Sequence, residues 1–126
     1  SAGTEEMDIL ITSLQKRLQS TDRLCSSPAY QMLVDPRLNI LWAEGDTAAR
    51  LGYTALEMQR QNIRTLLTDA SDAAQLHGAL RVAGSNDSAV LTLWMHSAGD
   101  RMLRIRFTVQ EPLPGKYFLS GTESLS

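Results

Sequence analysis

A chain of 126 residues with a formal net charge of -2 can bury one hydrophobic core, but its field is too weak to gather phosphate backbones. Acidic and basic residues are interspersed along it, so we expect no nucleic-acid binding. The only cysteine, Cys25, cannot form an internal disulfide, which favours a reducing, cytoplasmic setting. No apolar run approaches the roughly 20 residues that a membrane-spanning helix needs, and we expect no membrane contact by this segment.

The first predicted element is a helix over residues 4–24, after a cloning remnant at residues 1–3. It lacks Gly and Pro, and Glu5 and Glu6 lie at the positive end of its dipole. Its apolar side chains recur at steps of three and four residues, which places them on one face. This stripe either packs on the domain's own sheet or pairs with a second chain, and we predict it as a dimer interface: Met7, Leu10, Ile11, Leu14 and Leu18.

Residues 29–35 and 38–44 read as two strands of a hairpin joined by the turn Asp35-Pro36-Arg37. Asp46 is predicted to cap a short helix over residues 47–51, and short helical segments continue to about residue 67. Asp69 caps a longer helix that ends at Gly84. The apolar face predicted for that helix contains Ala73, Leu76, Leu80 and Val82.

The last part of the chain has the alternating pattern of strands. In residues 88–96 both faces are apolar, so Trp94 and Met95 cannot both point inward, and we favour the outer face for Trp94. Residues 102–110 are predicted to form a strand with Arg104 and Arg106 on its solvent-exposed face. After a turn at residues 112–115, a last strand is predicted over residues 116–121. The element order predicts an α+β fold with helices on one face of an antiparallel sheet.

Two segments resemble the PAS domain family, a family of sensor domains. LWAEGDTAARLGY and RQNIRTLL match its pattern of a strand end, a helix with Gly-Tyr, and a G-x-N-x-R box. The resemblance implies a PAS-like sensor domain over residues 28–123, with five antiparallel strands, short helices on one face and the amphipathic helix in front. Two positions depart from the pattern, since Glu44 replaces a usual Asn and Arg60 replaces the glycine of the box.

The resemblance also implies cofactor-binding candidates in a pocket between helices and sheet. Asn62 would close hydrogen bonds at its mouth, Arg64 would pair with an anionic group, His77 would ligate a haem iron, and Trp94 would stack on a flavin. Each has a structural alternative: a helix cap for Asn62, surface positions for Arg64 and His77, and the outer sheet face for Trp94. The cofactor is therefore left unknown, and Ile63 excludes flavin photochemistry that needs a cysteine there.

No nucleophile lies beside a plausible base, and no metal-ligand cluster or phosphate-binding glycine loop is present, so we predict no enzymatic activity. The expected function is a sensory and dimerisation domain of a larger signalling protein, in two-component or transcriptional regulation. It would relay a ligand, redox or partner signal to an attached output domain. Two alternatives stay open: a haem- or flavin-binding sensor, and a passive interaction module without ligand.

Overall fold

The structure, a computed structural model, describes residues 9, 11–12, 30–84 and 87–123. Its helices are α1 (Gly45–Leu51), α2 (Ala55–Met58), a 3-10 helix (Ile63–Leu66) and α3 (Ala70–Ala83). Residues 9, 11 and 12 are also helical, whereas the rest of the predicted leading helix lies outside the described residues. The strands are β1 (Tyr30–Val34), β2 (Ile40–Ala43), β3 (Ala89–His96), β4 (Met102–Leu113) and β5 (Lys116–Glu123).

The five strands form one sheet in the order β2-β1-β5-β4-β3, and all neighbours are antiparallel. The first strand of the sheet, β1, therefore lies directly beside the last one, β5, which is the central strand. Helix α1 contacts β1, α2 contacts β2, and α3 contacts β3 and β4. This arrangement confirms the predicted α+β class and its five-stranded antiparallel sheet.

The inward face of the sheet builds the core because side chains alternate along each strand. The inward residues of β4 are 0 to 7% exposed, as predicted: Leu103, Ile105, Phe107 and Val109. Gly121 of β5 stands opposite Phe107 in the register, and a Cβ there would lie 2.6 Å from the carbonyl oxygen of Arg106 and 2.8 Å from Cδ1 of Phe107. Only glycine fits at this position.

Helix α3 begins and ends where the sequence predicts it, with Asp69 as N-cap and Gly84 as C-cap. The Ser71 N–H donates to the Asp69 carboxylate at 3.0 Å, and this hydrogen bond lowers the pKa of Asp69. Val82 is wrongly predicted as part of the apolar face: it is 48% exposed, because two residues beyond Leu80 the helix has turned to the opposite side.

Two boundaries also differ from the prediction. The N-cap of α1 is Glu44 rather than Asp46, since its carboxylate accepts the Asp46 N–H at 2.9 Å. Strand β4 runs through Pro112 to Leu113, so the turn before β5 is shorter than the predicted turn over residues 112–115. The register between β4 and β5 shifts between Gln110 and Leu113. An irregularity of this kind tolerates a proline, which has no N–H to give to the ladder.

The outer face of the sheet divides into a covered half and an open half. The covered half lies on β1 and β5 and is at most 9% exposed, although the helices α1 to α3 pack on the other face: Gln31, Leu33, Phe118 and Ser120. The open half lies on β3 and β4, where Trp94 is 42% and Met102 is 56% exposed: Val90, Trp94, Met102, Arg104 and Arg106.

The helical residues ahead of the sheet differ in burial. Ile11 is 6% exposed and Ile9 is 68% exposed. Ile11 belongs to the apolar stripe and is buried within its own chain, and its place in a dimer interface or on the domain's own sheet stays a prediction. Met7, Leu10, Leu14 and Leu18 lie outside the described residues, and their place in a dimer interface stays a prediction.

Candidate functional site

Asn62 connects the helical layer to the β1–β2 turn. Its amide nitrogen donates to the Arg37 carbonyl at 2.8 Å and to Oδ1 of Asn39 at 3.0 Å. Its amide oxygen accepts the backbone N–H of Arg64 at 2.9 Å and so caps the 3-10 helix. The backbone adds a bridge between residues 39 and 62. Asn62 thus caps a helix, which is the structural role given above as the alternative to ligand binding. It also cross-links two segments that are 23 residues apart in the sequence.

The turn that receives Asn62 is itself held by side-chain hydrogen bonds. The Asp35 carboxylate accepts the N–H groups of Arg37 and Asn39, each at 2.9 Å, and the Asn39 amide at 3.0 Å. Leu38 has a positive φ of 71° and is fully buried. This left-handed conformation is costly for leucine, so the surrounding bonds must hold it in place.

Arg64 is exposed, and its Nε donates to the Asn62 amide oxygen at 3.2 Å. Beside it lies an open surface cavity of about 280 Å³ between the 3-10 helix and the start of α3, lined by Arg64, Leu67, Thr68, Asp69, Ala70 and Ala73. The cavity has apolar walls and both a cationic and an anionic side chain at its edge. Of the four predicted cofactor-binding residues, Arg64 alone lines it.

The space between helices and sheet contains fully buried apolar side chains from both layers, among them Met58, Leu66, Leu76 and Met95. His77 follows Leu76 on α3 but is only partly buried, so it does not share the core position of its neighbour. Among the described residues, no group of three or more His, Cys, Asp or Glu side chains could hold a metal ion.

Trp94 lies on the open half of the outer face, as the favoured prediction has it. Met95, next in the strand, is fully buried on the inward face. The β3 edge is tied to the helical layer at Trp94 through its backbone: its N–H donates to the Asp72 carboxylate at 3.3 Å, and its carbonyl accepts the Thr68 N–H at 3.3 Å. The indole ring is therefore on the opposite side of the sheet from the space where a flavin was expected.

A cluster that the sequence did not predict lies at the start of β1. The Tyr30 hydroxyl donates to Oε1 of Glu123 at 3.0 Å, and the Arg50 guanidinium stands 5.9 Å from the centre of the Tyr30 ring. Burial, together with the hydrogen bond and negative charge of Glu123, raises the pKa of Tyr30 to about 12. The cluster joins the first residue of β1, the last residue of β5 and the last turn of α1.

Helix α1 also contacts the β3–β4 turn directly. The Ala98 N–H donates to the Leu51 carbonyl at 2.8 Å. Gly52 ends the helix with a positive φ of 85°, and a Cβ there would come within 3.0 Å of the Ala98 Cβ. The Gly-Tyr pair of the sequence pattern thus marks a close approach between a helix end and a sheet turn.

Arg60, which replaces the glycine of the box, is not among the described residues with positive φ, so the side chain causes no backbone strain there. Glu44, which replaces the usual Asn, keeps a capping function through its carboxylate. Both departures are compatible with the local structure. Within the described part of the chain, no helix is long and apolar enough to cross a membrane.

No family model and no curated protein sequence matches the chain. Solved structures do resemble it. The PAS domain of the quorum-sensing receptor RpfR from Cronobacter turicensis, solved in complex with BDSF, has a TM-score of 0.66 at 16% identity, over 81% of this chain and 99% of that one. A PAS domain from a two-component sensor histidine kinase has a TM-score of 0.61 at 12% identity, over 75% and 84%.

The PAS domain of an HTR-like protein from Haloarcula marismortui covers more of this chain. Its TM-score is 0.62 at 12% identity, over 95% of this chain and 99% of that one. TM-scores of 0.61 to 0.66 show that these domains share the overall course of the backbone with this chain. The chain therefore has the PAS fold.

Proposed function

We propose that this chain is a sensory and pairing domain of a larger signalling protein, in which a change in the helical layer is relayed through the sheet to an attached output domain. The observation that carries this proposal is the hydrogen-bonded junction at Asn62. It joins the 3-10 helix to the β1–β2 turn, and β1 pairs along its length with β5, whose last residue is Glu123. A displaced 3-10 helix would therefore pull on a strand that leads to the end of the sheet.

Two further links support a relay of this kind. Leu51 of α1 accepts a hydrogen bond from the β3–β4 turn, and Asp72 of α3 accepts one from β3. One end each of α1, the 3-10 helix and α3 is thus hydrogen-bonded to a different strand or turn, which would couple the movement of these helices to that of the sheet. A signal changes the output only if it binds the two arrangements with different affinities.

The stimulus we propose is a small molecule. The RpfR PAS domain was solved in complex with BDSF and also with C12:0, and it shares this fold. In the present chain, the cavity beside Arg64 has apolar walls, and the Arg64 guanidinium could pair with the carboxylate of an amphipathic ligand that keeps clear of Asp69 at the same edge. Addition of C12:0 should raise the melting temperature of the wild type, and Arg64→Ala should reduce the shift. An equal shift in both proteins would place the ligand elsewhere.

Hydrogen exchange separates the relay from a passive interaction module. In Asn62→Ala, a relay predicts faster amide exchange in the 3-10 helix and, in β1 and β5, an increase larger than that in α3, whose core amides report the loss of global stability. A passive module predicts a local increase near residue 62 and the same increase in β1, β5 and α3. Arg60→Ala is a matched control on the same segment, because the Arg60 side chain is exposed and should change neither region.

A cofactor sensor is the remaining alternative, and an absorption spectrum of the freshly purified protein distinguishes it. A haem band that is lost in His77→Ala would favour haem binding, and a flavin spectrum would favour flavin. Because His77 is partly buried on α3 and Trp94 lies on the outer face, we expect neither band. Mass spectrometry under denaturing conditions would identify a colourless bound molecule.

A further inference from the structure

Two opposite charges stand at the edge of the cavity between the 3-10 helix and α3. Arg64 and Asp69 both line this cavity, and both side chains are exposed. In the described part of the chain they form no ion pair with each other: Nε of Arg64 donates to the Asn62 amide oxygen at 3.2 Å, and the Asp69 carboxylate accepts the Ser71 N–H at 3.0 Å. A cation and an anion that do not neutralise each other therefore share one rim.

The hydrogen bonds that hold each side chain leave part of its charged group for a ligand. Nε of the Arg64 guanidinium faces Asn62, and its two terminal nitrogens are donors that suit a carboxylate. Oδ1 of Asp69 caps α3, and Oδ2 remains to accept a hydrogen bond from an ammonium group. The Ser71 hydrogen bond also lowers the pKa of Asp69, so this carboxylate is ionised at neutral pH.

The walls of the cavity are short and apolar. They come from Leu67 and from Ala70 and Ala73, which lie three residues apart on one face of α3. The cavity volume of about 280 Å³ is close to the lower end of the range for ligand pockets, which is roughly 300 Å³. The cavity therefore suits a short aliphatic group.

A ligand with a single charge meets one favourable and one unfavourable neighbour at this rim. A carboxylate beside Arg64 is repelled by Asp69, and an ammonium group beside Asp69 is repelled by Arg64. A zwitterion can place each of its charges beside the opposite one, so that each repulsion is offset by an attraction.

We infer that the cavity binds an α-amino acid with an aliphatic side chain, whose carboxylate pairs with Arg64 and whose ammonium group pairs with Asp69. The aliphatic side chain lies against Leu67 and the two alanines. The inference rests on the proposed sensory function and names the class of its stimulus. Asp69 is then the residue that distinguishes an amino acid from a fatty acid of the same length, whereas Arg64 binds both.

Three small probes test this assignment on the full chain: norleucine, hexanoate, which lacks the ammonium group, and pentylamine, which lacks the carboxylate. Titration followed by the amide chemical shifts of residues 64–73 gives a Kd for each probe and locates it. Norleucine should bind at least about threefold more tightly than either of the others, because an exposed ion pair replaces a repulsion.

Asp69→Asn provides the sharpest variant, because Asn and Asp are equally good N-caps and only the charge is lost. It should weaken norleucine binding and strengthen hexanoate binding, so that the preference for norleucine disappears. Arg64→Gln should weaken the binding of both. Asp46→Asn is the matched control: this carboxylate is exposed at the start of another helix and does not line the cavity, and the net charge changes by the same amount.

The outcomes separate this inference from the proposed function. Norleucine binding no tighter than that of hexanoate or pentylamine, or a preference that survives in Asp69→Asn, would overturn the amino-acid assignment. The proposed function would still stand if C12:0 raised the melting temperature through Arg64. If neither C12:0 nor any of the three probes changed the spectrum of residues 64–73, both would be wrong. The comparison of probes on the wild type decides the matter even if a variant does not fold.

Discussion

At the scale of single residues, Asn62 uses both ends of its amide group for different purposes. The oxygen caps the 3-10 helix through the Arg64 N–H, and the nitrogen holds the β1–β2 turn at Arg37 and Asn39. These two roles can be separated by substitution, because Asn and Asp are equally good N-caps but only Asn can donate a hydrogen bond.

Asn62→Ala should lower the free energy of unfolding by about 1–2 kcal/mol, since it removes the cap and leaves the Arg37 carbonyl without its donor. Asn62→Asp should cost at least as much, because a carboxylate would face two acceptor oxygens. Urea denaturation measures both. If Asn62→Asp were as stable as the wild type, the cross-link to the turn would contribute nothing and capping alone would explain the residue.

The sequence predicts some of these residues and misses others for a physical reason. The short spacing from Gly52 to Asn62 and Arg64 is local, so a pattern can mark it, and the capping role follows from residue type. Tyr30 and Glu123 are 93 residues apart and meet only because β1 and β5 are neighbours in the sheet. Asp72 likewise meets Trp94 only once α3 has packed against β3.

At the scale of elements, strand periodicity predicted the inward face of β4 well, because only one of its faces is apolar. In β3 both faces are apolar, so periodicity alone did not decide which of them is inward. It could not predict that the outer face is covered at β1 and β5 but open at β3 and β4. Leu33 and Trp94 look alike in sequence, as apolar residues on outward positions, yet one is fully buried and the other is 42% exposed. What covers a sheet depends on the packing of a separate segment.

The leading helix offers a matched pair of variants for this question. Ile11→Ser should destabilise the domain by about 2 kcal/mol, since it removes a buried apolar side chain, and Ile9→Ser should change stability by less than about 0.5 kcal/mol. Thermal denaturation of the dilute protein measures both. Equal, small effects would show that Ile11 does not contribute to the fold of its own domain.

At the scale of the whole molecule, Tyr30 makes stability depend on pH in the alkaline range. Its pKa is about 12 in the folded protein and 10 for an ordinary tyrosine, so folding favours the neutral phenol. The associated stability is fully present below pH 10 and is lost as the pH rises through 12. The loss should amount to about 1–2 kcal/mol, because Glu123 is exposed and water screens part of the interaction.

Urea denaturation at several pH values up to the pKa of Tyr30 tests this expectation. Tyr30→Phe should flatten the decline in stability, whereas Tyr117→Phe should leave most of it, although the pKa of Tyr117 is also raised by burial and by Glu111. An unchanged decline in Tyr30→Phe would attribute the alkaline instability to other groups.

The position of β1 between β2 and β5 has a consequence for synthesis on the ribosome. The first strand to emerge cannot gain its second partner until the last one is made, because residues 30–34 pair with residues 117–121. Until then the hairpin of β1 and β2 carries an open edge and an unburied apolar face, which are sites of aggregation. We therefore expect slow folding for a domain of this length. The sheet would be completed in one late step, in which β1 pairs with β5.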